Sequence, residues 1–121
     1  MWHGYLAPGN LTLLTSQWKT GKTTLVATLL ARLATGGTLA GLPVRPGRAV
    51  VVSEESAEHW ERRDARLRFG SAVGFICRPF RGLPTAVEWE ALIDQLAAMH
   101  AGRPFDLLVI DPLASFLPCR T

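Results

Sequence analysis

The feature that most constrains this chain is the run Ser16-Gln17-Trp18-Lys19-Thr20-Gly21-Lys22-Thr23, set between a β-prone segment and a helical one. It follows the pattern G-x-x-x-x-G-K-[ST], with Ser16 at the position of the first glycine. Upstream, residues 10–15 (NLTLLT) come after Pro8-Gly9 and predict a strand following a turn. Downstream from Thr23, the apolar positions Val26, Leu29, Leu30 and Leu33 recur with helical spacing, and Gly36-Gly37 marks a stop. A strand, a tight loop and a helix in that order suit a bound phosphate. The loop turns backbone N–H groups inward, and the helix start adds the positive end of its dipole. Gly21 removes a Cβ where backbone and phosphate approach. Lys22 reaches the β- and γ-phosphates as a point charge, and Thr23 offers a hydroxyl to magnesium. The expected nucleotide-binding set is Ser16, Gln17, Trp18, Lys19, Thr20, Gly21, Lys22, Thr23 and Thr24. Lys19 is either a second phosphate contact or a solvated lysine. Trp18 either covers the nucleotide or packs beneath the loop.

Two acidic features belong with this loop. Residues 105–110 (FDLLVI) read as a buried strand that ends at Asp111-Pro112. A carboxylate at the carboxyl end of such a strand faces the same crevice as the phosphate loop and can hold magnesium. Thr23 and Asp111 are therefore the expected metal ligands. Residues 49–53 (AVVVS) form a second buried-type strand, followed at once by Glu54 and Glu55. Either glutamate could orient and deprotonate an attacking water. Both could equally belong to the start of the next helix, where acids suit the dipole.

The remaining pattern alternates strand and helix. Ser56 is a good N-cap, with Glu58 in the first turn, and Glu58–Arg62 and Asp64–Arg68 are i,i+4 pairs before a stop at Gly70. Residues 73–77 (VGFIC) are a weaker strand. Thr85 caps a helix with an apolar stripe of Trp89, Leu92, Ile93 and Leu96, which Gly102 terminates. Residues 40–47 (AGLPVRPG) read as a Pro/Gly-rich connection. The predicted class is α/β, a parallel sheet with helices on both faces, in one domain over residues 1–121.

Composition narrows the function classes. An apolar content of 48% argues for a packed core over disorder. Net charge +3 tolerates a polyanion, nucleotide or DNA, without demanding one. Cys77 and Cys119 form no CxxC, and His3, His59 and His100 are scattered, so neither a zinc site nor a disulfide framework is indicated. A reducing, cytoplasmic compartment fits this cysteine usage. No apolar run approaches the length of a membrane span, and the first residues lack a signal-peptide order.

The residues 16–24 (SQWKTGKTT), 52–56 (VSEES), Arg63 through Arg66-Leu67, and 107–112 (LLVIDP) together resemble the RecA-like P-loop ATPases of the RadA, KaiC and RepA-helicase type. The loop SQWKTGKT is similar to that of bacterial AAA-family ATPases in which the first glycine is absent. The resemblance implies ATP with Mg2+ as ligand, hydrolysis to ADP and phosphate, a ring-like hexameric homo-oligomer, and DNA as a candidate partner. It implies Glu54 as the catalytic base, with Glu55 as a substitute. It further implies that RecA-like domains continue past the Walker B strand with a strand that inserts beside the phosphate-loop strand. On that basis the chain is expected to be a C-terminally truncated, partial RecA-like domain that hydrolyses ATP poorly alone. A nucleotide-binding module without hydrolysis is the alternative. A small P-loop phosphotransferase, with Arg78 and Arg81 on a lid-like loop, ranks behind both, because tandem glutamates suit water activation better than transfer.

Overall fold

The computed structural model describes residues 1–14, 21–113 and 116. The elements are α1 (Lys22–Leu33), β1 (Gly37–Leu39), β2 (Leu42–Val44), β3 (Ala49–Ser53), α2 (Ala57–Leu67), a 3-10 turn (Gly70–Ala72), β4 (Val73–Cys77), α3 (Ala86–Gly102) and β5 (Leu107–Asp111). Strands β4, β3 and β5 form a parallel sheet in that spatial order. The α/β class with helices on both faces is thus what the chain adopts.

The central strand explains the layers. All five residues of β3 are buried, as a Val-rich strand in a two-sided parallel sheet must be. Side chains alternate along it. Ala49 and Val51 pack with Ala27, Leu30 and Leu33 of α1 and with Trp60 of α2. Val50 and Val52 pack with Leu92 and Leu96 of α3 and with Phe116. Trp60 stacks at a tilt on Phe75, with ring centroids 4.9 Å apart, and pins α2 to β4. Burying each such aromatic or aliphatic side chain contributes about 1.5–3 kcal/mol.

Helix ends follow their residues. Ser56 accepts from the His59 amide as the N-cap of α2. Thr85 and Glu88 form a full capping box at the start of α3. Helix α2 stops at Leu67, before the expected Gly70. Arg68 takes the left-handed conformation at φ 57, and the Asp64 side chain accepts from the Phe69 amide. Asp64 is thereby used as a cap, so the expected pairing with Arg68 does not form, and Glu58–Arg62 does not form either. In α3, Leu92 and Leu96 are buried and Trp89 packs beside them, while Ile93 stands half exposed.

Two expectations are corrected. Residues 10–14 of the expected 10–15 strand carry no strand, and Leu11 and Leu13 are 98% and 72% exposed. A ladder needs a neighbour, and among the described residues none pairs with this segment or with the outer edge of β5. The 40–47 connection instead holds the turn and second strand of an antiparallel hairpin of β1 and β2, closed through Ala40 and Gly41 in left-handed conformation. Trp2 donates its indole N–H to Leu39 O at 3.1 Å and fastens the N-terminus over that hairpin.

Candidate functional site

The carboxyl ends of the three parallel strands and the start of α1 meet at one edge of the molecule. Gly21 is the N-cap of α1, with φ 89 and ψ 16. Among the described residues an added Cβ there would meet no atom within 4 Å, while the left-handed backbone itself favours glycine. Among the described residues the first turn of α1 holds no acid and no side-chain cap, and N–H groups at a helix start suit an anion. The next two residues, Lys22 and Thr23, are partly buried, and Thr24 is exposed.

Both Lys22 and Thr23 converge on Asp111, the last residue of β5. Lys22 Nζ lies 3.5 Å from Asp111 Oδ1, and Thr23 Oγ1 donates to Oδ2 at 3.5 Å. The Asp111 side chain is 14% exposed. Sequence positions 88 residues apart are therefore brought together by the fold. The donor set suits Mg2+, a hard ion that takes one or two protein oxygens and completes its shell with water and substrate phosphates. Among the described residues no cluster of three or more His, Cys, Asp or Glu offers a softer metal a site. The expected contacts Ser16, Gln17, Trp18, Lys19 and Thr20 lie outside the described residues.

The two glutamates part company. Register sets Ser53 opposite both Asp111 and Cys77, so Glu54 begins where the sheet ends. Its amide donates to Asp111 O at 3.2 Å, which joins the two strand ends directly. Glu54 is exposed and lines a crevice of about 490 Å³ with Arg78, Phe80, Arg81, Leu83 and Phe116. Arg78 is tied to the strand end as well: its amide donates to Ser53 O at 2.8 Å and its Nε to Glu54 O at 3.0 Å. That tether works against Arg78 as a mobile lid.

Glu55 turns instead toward α2. Its amide donates to Ser53 Oγ, and Arg63 forks onto both carboxylate oxygens, with Nη2 2.9 Å from Oε1. His59 Nδ1 lies 3.9 Å from the same Oε1. The Arg63 hydrogen bonds hold the Glu55 carboxyl below its ordinary range, although partial burial works the other way. The guanidinium is raised in return, chiefly by Glu55. Burial pushes the Cys77 thiol up, with a smaller push from Glu55. The Glu55–Arg63 pair was missed in sequence, although a signal existed: Glu55, His59 and Arg63 are spaced four residues apart, with Glu55 just before the Ser56 cap of the helix that carries the other two.

A family model described as an AAA domain matches residues 1–119. No curated protein and no solved structure matches the chain.

Proposed function

Because the chain belongs to the AAA-domain family of P-loop ATPases, we propose that it binds ATP with Mg2+ and serves ATP hydrolysis in a RecA-like manner. The observation that carries this reading is the convergence of Lys22 and Thr23 on Asp111 at the strand ends. In it, the α1 amides and Lys22 bind and orient the phosphates, and Thr23 and Asp111 hold the metal. Magnesium, once bound, supplies positive charge to the terminal phosphates. Glu54 accepts the proton of the attacking water. The hydrogen bond that its backbone N–H donates to Asp111 O supports that role, and Glu55 pairs with Arg63.

A RecA-like assignment is supported by β3 lying directly between β4 and β5, with the glutamate-bearing strand next to the aspartate-bearing one. A ring-forming homo-oligomer in the cytoplasm, with DNA as its partner, is the fuller form of the proposal. Net charge +3 accommodates a polyanion. Among the described residues, no helix is long and apolar enough to cross a membrane.

The deciding experiment titrates a fluorescent ATP analogue with Mg2+ into wild type and Lys22→Ala. Losing a charge-assisted phosphate contact is expected to weaken binding about tenfold or more. Equal affinity in the two proteins would overturn the assignment.

A further inference from the structure

Arg63 sits at a junction that the reaction described above does not use. One face of its guanidinium lies 4.6 Å from the ring centroid of Trp60, a residue 2% exposed and fixed in the core. Its donors fork onto Glu55. Helix α2, which carries Arg63, packs on the same sheet face as α1, which opens with Lys22. Glu55 follows the β3 end that is level with Asp111. Arg63 is therefore carried on the α1 side of the sheet, by the helix that follows the β3 end level with Asp111. Glu55 also has a second neighbour at hand, His59 Nδ1 at 3.9 Å.

We propose that Arg63 is a two-position residue that exchanges Glu55 for the terminal phosphate of a bound nucleoside triphosphate, with His59 left beside Glu55. The inference rests on the nucleotide-binding reading of the Lys22–Asp111 site. An arginine fork matches phosphate as well as carboxylate, and the more highly charged phosphate is the stronger acceptor. A diphosphate offers nothing at the outer position, so only the triphosphate interacts differently with the two placements. That difference is what a ligand needs to shift such an equilibrium. Because Arg63 stands on α2 and stacks on Trp60, the exchange transmits the phosphate state to that helix. Arg63 is in this sense a positioning and specificity residue for the triphosphate.

The test measures affinities for a non-hydrolysable ATP analogue and for ADP, both with Mg2+, in wild type, Lys22→Ala, Arg63→Ala and Glu55→Gln. Arg63→Ala is expected to lower the triphosphate-to-diphosphate preference by about tenfold or more. Glu55→Gln frees the guanidinium and is expected to raise that preference, which a purely structural pair would not do. If Lys22→Ala loses binding while both other variants keep the wild-type preference, the exchange is wrong and the nucleotide site stands. If Lys22→Ala binds as wild type does, the site reading and the exchange fall together. Should Arg63→Ala fail to fold, Glu55→Gln decides: an unchanged or lowered preference overturns the proposal.

Discussion

At the scale of single residues, two adjacent glutamates have different chemistry because of what lies around them. Arg63 stabilises the charged form of Glu55 and leaves it less eager for a proton. Glu54 stands at the crevice with its backbone joined to Asp111. In steady-state kinetics, Glu54→Gln is expected to lower kcat about 10²–10⁴-fold, the usual range for a general base, with little change in nucleotide affinity. Glu55→Gln should fall far short of that loss. If the larger loss follows Glu55→Gln, the base is Glu55. Of the residues the sequence singles out, Lys22, Thr23, Asp111 and the glutamate pair all stand at one edge of the fold. It did not show that the surroundings of Glu55 include Arg63, because that residue lies on the next helix and meets Glu55 through side-chain geometry.

At the scale of elements, legibility followed burial. The run AVVVS was readable as β3 because a strand covered on both faces needs only apolar, β-branched residues. The hairpin of β1 and β2 was not, because Pro43 and the flanking glycines look like loop punctuation and the strands are only three residues each. Residues 10–14 misled in the opposite sense, since β propensity forms no ladder without a neighbour. Between elements, the Glu55–Arg63 pair fastens the end of β3 to α2, and its pH dependence has a definite sign. The Glu55 value is lowered on folding, so its stabilisation is present above the unfolded carboxylate value and is lost as pH falls through the folded one. Thermal melts of wild type and Glu55→Gln should differ at neutral pH and converge in acid below the ordinary carboxylate range. The difference should be small, because the pair is only partly buried and solvent still screens it. A gap that persisted undiminished in strong acid would show that the pair is not its source.

At the scale of the whole molecule, β3 serves both apolar cores at once, and the sheet has an outer edge on β5 that no described strand covers. Leu11 and Leu13 add exposed apolar surface. Unpaired edges and exposed leucines favour association between chains. Purified at micromolar concentration, the chain is expected to run above its monomer mass in light scattering, and Leu11→Ser with Leu13→Ser should shift it toward the 13.2 kDa monomer. A monomer in both forms would show that these surfaces are harmless. The register of β3 against β5 has a consequence of another kind, one of parity. Ser53 lies level with Asp111, and faces alternate residue by residue along each strand. Removing one residue from within β5 would therefore turn the carboxylate to the α3 side and bring an apolar neighbour to Lys22. Removing two would restore the facing but draw it back along the strand by about 6.6 Å, at roughly 3.3 Å per residue. Length changes in β5 are thus of two unequal kinds, odd ones that reverse the site and even ones that only displace it, whereas substitutions on the α3 face of the same strand leave the reach from Lys22 to Asp111 as it is.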